Sequence, residues 1–190
     1  MLFDRTTGQP YTPATGDVAL LQGTSLDVAV PIEIVTGSRW THAGWVYVDP
    51  TEHPWVIEAI SGGVASSEFK DFVGDYNVMV RRPITPFTDA QIAAMTRIAL
   101  AMVGTTGYST RSRHLVSGLW WAIAGPPDES ADLPAGMVPD AVDCSEEVAI
   151  LERDGGFDPV PGVAARAVTP AELATSPMLT TIVSQLAVEP

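Results

Sequence analysis

The sequence has few basic residues, few histidines and a single cysteine. Its 190 residues include 10 Lys and Arg against 23 Asp and Glu, which gives a formal net charge of −13. Proteins that bind nucleic acids or anionic membrane surfaces need a basic patch, so this charge argues against both kinds of partner. One cysteine makes no intramolecular disulfide, and the sequence has no metal-ligand spacing of Cys and His. We therefore expect neither a metal nor another cofactor.

Long apolar runs are also missing. No run approaches the ~18 residues that a membrane-spanning helix requires. The first residues, 1–6, lack the basic-then-apolar pattern of a secretory signal. The sequence therefore predicts no stable membrane insertion and no export by a signal peptide.

The composition is that of a globular protein with 46% hydrophobic and 17% charged residues. Residues 1–15 are rich in turn formers and predict an irregular arm, and residues 16–190 predict a single domain. Strands are expected at 17–22, 41–48, 55–60 and 76–82, and helices at 67–72, 88–103, 114–124, 146–153 and from 170 onward. Early strands with flanking helices indicate the α+β class. The Pro- and Gly-rich stretch 125–139 predicts a long loop of the kind that often forms a lid or a binding segment.

The single cysteine lies where this loop leads into a predicted helix. Asp143 is a suitable N-cap, so Cys144 is expected in the first helical turn. Backbone N–H groups and the helix dipole stabilise a thiolate there, and the same N–H groups can stabilise an oxyanion. The following residues indicate an amphipathic helix with Glu147 and Glu152 on its polar side. Cys144 is therefore a candidate nucleophile, and a buried, unreactive cysteine is the alternative.

A cysteine nucleophile needs a base, usually His, and a group that orients the base. His53 lies in a Pro-flanked turn and is expected to be exposed, and His114 begins an apolar helix, where a capping or surface role is expected. His42 begins an apolar strand beside Ala43 and Gly44, whose small size leaves room for another element. His42 is therefore the candidate base, and a purely structural strand histidine is the alternative.

Glu58 interrupts the apolar strand 55–60, and a carboxylate at such a position either faces water or has a partner. If the numbers of opposed residues in the hairpin have an even sum, His42 and Glu58 share one face of the sheet. A shift of one residue would place them on opposite faces. The hypothesis of a Cys–His–Glu triad therefore requires an even register.

At these residues the sequence resembles a known family. Asp143, Cys144 and Ser145 resemble the nucleophile motif of NlpC/P60 papain-like hydrolases, in which the Cys precedes the His. Here the order is His first and Cys last, which resembles the circularly permuted NlpC/P60 proteins of the YiiX/YebB type, related to lecithin:retinol acyltransferase. Further segments resemble those of the family in the same order, namely 16–18, 36–44, 56–59, 104–108 and 169–173.

The resemblance implies a permuted papain-like fold, in which a small antiparallel sheet packs against helices that include the nucleophile helix. It implies that Cys144 is the nucleophile, that His42 is first the base and then the acid, and that Glu58 orients His42. Tyr108 would be a substrate-binding residue. The chain departs from the family at Glu147, where Leu is common.

By this resemblance the expected function is hydrolysis of an amide bond in a peptidoglycan-type peptide, or of an ester, through a thioester intermediate. The expected partner is thus a cell-wall peptide or an acyl substrate, and the expected location is the cytoplasm or a phage or virion particle that delivers the protein. Two alternatives are a non-catalytic structural or binding protein, such as a virion component, and a thiol acyltransferase that acts on lipids.

Overall fold

The computed structural model describes residues 2–23, 36–74, 76–109 and 132–188. The elements in chain order are β1 (Leu2–Asp4), β2 (Val18–Gln22), β3 (His42–Val48), β4 (Pro54–Ile60), β5 (Gly63–Glu68), α1 (Phe69–Val73), β6 (Asn77–Pro83), α2 (Asp89–Met102), β7 (Gly107–Tyr108), β8 (Ala141–Val142), α3 (Cys144–Asp154), a 3-10 helix (Ala165–Ala167), α4 (Pro170–Thr175), β9 (Leu179–Val183) and β10 (Leu186–Val188). This mixture of sheet and helices confirms the α+β class. The expected helix at 114–124 and part of the expected loop at 125–139 lie outside the described residues.

Six strands form one antiparallel sheet in the order β5-β4-β3-β2-β6-β9. The strands expected at 17–22, 41–48, 55–60 and 76–82 are confirmed as β2, β3, β4 and β6. In the β3–β4 hairpin Trp45 pairs with Ile57 and Val46 pairs with Val56. The sum of opposed residue numbers is therefore even, as a Cys–His–Glu triad requires.

Apolar residues cover both faces of the sheet because successive strand residues point to opposite sides. Trp45 belongs to one buried cluster, together with residues of α2, α3 and α4. Its neighbour Val46 belongs to a second cluster on the other face, together with Phe69, Phe72 and Val73 of α1. The sheet is thus a central layer, and α3 is anchored on it through Val148, Leu151 and their neighbours.

The starts of two helices follow directly from local sequence. Thr88 accepts a hydrogen bond from the N–H of Gln91, and the side chain of Gln91 reaches back to the N–H of Thr88, which completes a capping box at the start of α2. Thr169 and Glu172 form the same arrangement at α4, with Pro170 at the first helical position. Both predicted helix starts are confirmed.

A two-stranded parallel contact brings a distant segment next to α3. Gly107 pairs with Ala141 and Tyr108 pairs with Val142, the residue before the N-cap of α3. The N–H of Val64 donates to the carbonyl of Thr106, which ties this contact to β5 at the edge of the main sheet. The segment that follows α2 therefore lies against β8, the strand that directly precedes the N-cap of the Cys144 helix.

Two segments differ from the expectation. Residues 1–15 were expected to be irregular, but β1 pairs antiparallel with β10, with Phe3 opposite Ala187. The division of the chain at residue 16 stays a prediction. The helix expected from residue 67 begins only at Phe69, because Ser67 and Glu68 pair with Val56 and Trp55 as the end of β5. This correction matters for the site, since Ser67 is one of its residues.

No helix in the described part of the chain has the length and apolar character needed to cross a membrane.

The β3–β4 hairpin has no room for a side chain at Gly44. A Cβ there would meet the side chain of Val56, the carbonyl oxygen of Ile57 at 3.2 Å and the ring of Phe72 at 3.3 Å. We expect Gly44→Ala to lower the free energy of unfolding by about 1–3 kcal/mol, because packed cores accommodate added volume poorly. Denaturant unfolding measures this change.

Gly62→Ala is the matched control, since a Cβ at Gly62 meets nothing within 4 Å. Its free energy of unfolding should stay within about 0.5 kcal/mol of the wild type. Equal stability of the two variants would contradict the crowding at Gly44.

Candidate active site

Cys144 is the first residue of α3 and is buried, with 7% of its surface exposed. The carboxylate of Asp143 accepts hydrogen bonds from the N–H groups of Ser145 at 3.1 Å and Glu146 at 2.9 Å. The side chain of Glu146 in turn accepts from the N–H of Asp143 at 3.3 Å. This capping box fixes the first turn, so the predicted place of the cysteine at a capped helix start is confirmed. The positive end of the helix dipole lies at the sulfur.

The imidazole of His42 lies between a carboxylate and the sulfur. Its Nε2 is 2.7 Å from Oε2 of Glu58. Cys144 lies beside the same ring and raises the pKa of His42 through its charge and its hydrogen-bonding capacity. Because Nε2 bonds to Glu58, Nδ1 is the ring nitrogen that is left for the sulfur. The structure therefore brings together the three residues proposed for a triad, in the order Glu58, His42, Cys144.

The second carboxylate oxygen of Glu58 is held by Ser67. The Oγ of Ser67 donates to Oε1 of Glu58 at 2.5 Å, while Oε2 faces His42. Burial alone would raise the pKa of Glu58, but the hydrogen bonds from His42 and Ser67 lower it below the ordinary value. Sequence reasoning missed Ser67, since residues 67–72 were expected to be helical. Its position on a strand next to the Glu58 strand is the signal that could have found it.

The surroundings of His42 favour its protonated form. Burial opposes protonation, but the neighbouring Cys144 and the hydrogen bonds to Cys144 and Glu58 outweigh it and raise the pKa of His42 to about 10. The ring of Phe72 packs against the imidazole, with 5.8 Å between ring centroids. An aromatic neighbour and a fixed carboxylate together restrict the rotation of His42.

Tyr108 lies beside this arrangement through the pairing of β7 with β8. Burial, followed by the negative charges of Cys144 and Asp143, raises the pKa of Tyr108 to about 12. Tyr108 is therefore a neutral hydroxyl close to the nucleophile. Its predicted part in substrate binding stays a prediction. His53, in contrast, is exposed and lies in the turn, as expected.

Two glutamates of α3 contradict the expectation of an amphipathic helix. Glu147 and Glu152 were expected on a polar face, but both are fully buried. Oε1 of Glu152 accepts from Nε1 of Trp45 at 3.1 Å, whereas Oε2 and both oxygens of Glu147 have no hydrogen-bond partner among the described residues. The helix lies between the sheet and α2, so its nominally polar positions also face protein. Burial raises the pKa of both carboxyls well above the ordinary value.

The three side chains have the arrangement of a proton relay. Glu58 is hydrogen-bonded to the imidazole of His42, and Cys144 lies beside the same ring. Nowhere in residues 2–23, 36–74, 76–109 and 132–188 do three or more metal-ligating side chains come together as a metal site would require. The arrangement can ionise a thiol, hold a proton on the imidazole and transfer it. These are the elements of nucleophilic catalysis by cysteine.

The fold and the site thus define an α+β protein in which Cys, His and Glu side chains come together at a helix N-terminus. No family model matches the chain, and no curated protein matches its sequence. Among solved structures the chain is similar to the metalloprotein YiiX from Escherichia coli O157:H7, with a TM-score of 0.66 and 19% identity, over 92% of this chain and 99% of that chain. The predicted resemblance to the YiiX type is confirmed at the level of the fold.

The buried carboxyls make a prediction about stability and pH. Above the pKa of an unfolded glutamate, about 4.3, the unfolded state releases a proton that the folded state keeps on Glu152. The folded state therefore binds more protons, and the free energy of unfolding falls as the pH rises, by about 1.4 kcal/mol per pH unit for each such group. Glu152→Gln keeps a hydrogen-bond acceptor for Trp45. It removes the carboxyl that binds the extra proton in the folded state, so the contribution of Glu152 to the pH dependence of the free energy of unfolding is lost.

Denaturant unfolding between about pH 5 and 6.5 measures the slope. Glu152→Gln should lose stability with rising pH less steeply than the wild type, by about 1.4 kcal/mol per pH unit. Asp71→Asn, which removes an exposed carboxyl, is the matched control variant. Parallel lines for Glu152→Gln and the wild type would show that Glu152 is ionised in the folded protein.

Proposed function

We propose that this chain is a thiol hydrolase of the circularly permuted NlpC/P60 type that cleaves an amide or ester bond through a thioester. The observation that carries the proposal is the imidazole of His42, which is bonded to Glu58 at 2.7 Å and lies beside Cys144 at a capped helix start. The fold shared with YiiX and the order of the three residues along the chain support it.

The first chemical step is the attack of the Cys144 thiolate on the carbonyl carbon of the substrate. A carbon–sulfur bond forms and the carbonyl oxygen becomes an oxyanion. The N–H groups of Ser145 and Glu146 already donate hydrogen bonds to the carboxylate of Asp143. We therefore assign the N–H of Cys144 itself as a donor to the oxyanion. The helix dipole stabilises the same negative charge.

The second step is the departure of the amine or alcohol. His42, protonated in the ion pair with Cys144, gives its proton to the leaving group, and Glu58 keeps the ring oriented while the charge changes. The neutral imidazole then takes a proton from a water molecule, whose oxygen attacks the thioester carbon. The carbon–sulfur bond breaks, the carboxylic acid leaves, and the Cys144 thiolate and the His42 imidazolium are restored. Ser67 holds Glu58 in place through both steps.

A cell-wall peptide amide is the substrate class that the family resemblance favours, and a lipid acyl group is the second.

The rate of Cys144 alkylation by iodoacetamide against pH is the test of the pair. In the wild type we expect rapid alkylation near neutral pH, because the imidazolium of His42 stabilises the neighbouring thiolate. In His42→Ala the alkylation rate at the same pH should fall by about tenfold or more, because the compensating charge is lost. Purified protein, with Cys144 as its only thiol, makes the assay specific.

His53→Ala is the matched control, since His53 is an exposed histidine of the neighbouring turn. Its alkylation profile should superimpose on that of the wild type. A sluggish wild-type thiol that His42→Ala leaves unchanged would refute the hydrolase and leave a binding or structural protein.

Separate changes at Cys144 and Glu58 test the assigned roles. Cys144→Ser and Glu58→Gln should keep the fold, since each replacement has nearly the same shape. Glu58→Gln should reduce kcat/KM at least about 100-fold on a peptide-amide or ester substrate, because general acid–base catalysis contributes typically 10²–10⁴-fold. Circular dichroism and turnover measure the two effects. Full activity of Glu58→Gln would show that Glu58 has no part in the relay. Transfer of the acyl group to a lipid acceptor would show that the protein is an acyltransferase and not a hydrolase.

A further inference from the structure

Phe72 of α1 lies against the imidazole of His42. The two ring centroids are 5.8 Å apart and the ring planes are tilted by 32°, which is the spacing of attractive aromatic pairs. Phe72 is buried, and His42 keeps only 22% of its side-chain surface exposed. Protein therefore covers most of the His42 side chain, and the ring of Phe72 forms part of that cover.

The short helix α1 is held by the second buried cluster, which lies on its side of the sheet. Phe69 belongs to that cluster together with Phe72, and its ring packs on Tyr11 with 5.9 Å between centroids. Phe72 is also close to Gly44, since its Cε2 is 3.3 Å from the position that a Cβ of Gly44 would take. The ring of Phe72 is therefore held between packed neighbours and presents a fixed surface to the site.

The same short segment of the chain also holds Glu58. Ser67, at the end of β5 and just before α1, donates a hydrogen bond to Oε1 of Glu58 at 2.5 Å. Residues 67–72 thus contact both members of the His42–Glu58 hydrogen bond, the carboxylate through Ser67 and the imidazole through Phe72. Water competes for the donors and acceptors of such a bond, so the bond is stronger where protein excludes water.

We propose that Phe72 is a positioning residue that shields the His42–Glu58 hydrogen bond from water and keeps the imidazole turned toward Cys144. This inference rests on the proposed function. The torsion that rotates a histidine ring has a broad intrinsic distribution, so its neighbours must fix it. With the ring fixed, the nitrogen that faces Cys144 stays aligned for each proton transfer, and alignment of reacting groups is a large part of catalysis.

A matched pair of substitutions in α1 tests this role. Phe72→Leu removes the flat ring from His42 and keeps an apolar side chain, whereas Phe69→Leu makes the same replacement in the same buried cluster, where the aromatic neighbour is Tyr11. Both replacements truncate the core and should lower the free energy of unfolding, which denaturant unfolding measures. Only Phe72→Leu should also change the chemistry of Cys144.

The rate of Cys144 alkylation by iodoacetamide at neutral pH is the first readout. We expect Phe72→Leu to slow alkylation about three- to tenfold, because an aromatic contact contributes an interaction energy of that order. Phe69→Leu should stay within about twofold of the wild type, because its contact with Tyr11 does not involve the relay.

The hydrogen bond itself gives a second readout that needs no turnover. A carboxylate only accepts, so Nε2 of His42 donates its proton to Oε2 of Glu58. This proton is followed by NMR and assigned through its loss in His42→Ala. Its exchange with water should be about tenfold faster in Phe72→Leu and unchanged in Phe69→Leu, because only the first variant opens the hydrogen bond to water.

Three results would each overturn the inference. They are wild-type alkylation in Phe72→Leu, equal slowing in the two leucine variants, and a wild-type Nε2 proton that exchanges too fast to be observed. Phe72→Met is the second variant, in case Phe72→Leu does not fold, because unbranched Met fills irregular space without a flat ring. If neither variant folds, Phe72 is a structural core residue and the inference is wrong.

Failure of the proposed function has a different signature. The wild-type thiol would then react slowly, and His42→Ala would leave its rate unchanged. If only the role of Phe72 is wrong, His42→Ala still slows alkylation while Phe72→Leu does not.

Discussion

The hydrogen bond between His42 and Glu58 is the constraint on which the site depends. It joins two neighbouring strands through their side chains, so it exists only while the β3–β4 hairpin keeps an even register. A slip of one residue would move Glu58 to the other face and leave a carboxylate among apolar side chains. The tight fit of Gly44 against Val56 also supports this hairpin register, because it fixes how closely the two strands and Phe72 approach one another. The packing of the hairpin and the geometry of the site therefore depend on each other.

The glutamates Glu58, Glu147 and Glu152 are buried in this protein, and their environments differ. Glu58 has two hydrogen-bond donors and a low pKa, so it carries charge at little cost. Glu147 and Glu152 lie deeper, lack full sets of donors, and keep their protons instead. The difference follows from the partners and not from residue type. The site therefore has one carboxyl that favours the charged form, whereas the two carboxyls of α3 favour the neutral form.

Much of the local structure followed from short-range signals. Asp143 before Cys144, Thr88 before Gln91 and Thr169 before Pro170 mark helix starts whose hydrogen bonds close within four residues, and each was predicted correctly. Ser67 was missed because its strand conformation comes from pairing with β4, although its neighbours begin a helix. Glu147 and Glu152 were misassigned because the periodicity of a helix shows which residues share a side but not how many of its sides are covered.

The sequence by itself determined the α+β class, the capped helix start at Cys144 and the set of three residues that could form a relay, since these depend on local patterns and on the scarcity of Cys and His. The tertiary structure decided whether those residues meet. Strand register placed Glu58 on Nε2 of His42, the packing of α3 on the sheet brought Cys144 to the same ring, and covering of α3 on several sides buried Glu147. Contacts between residues far apart in the chain depend on how whole elements pack, and no local pattern contains that information.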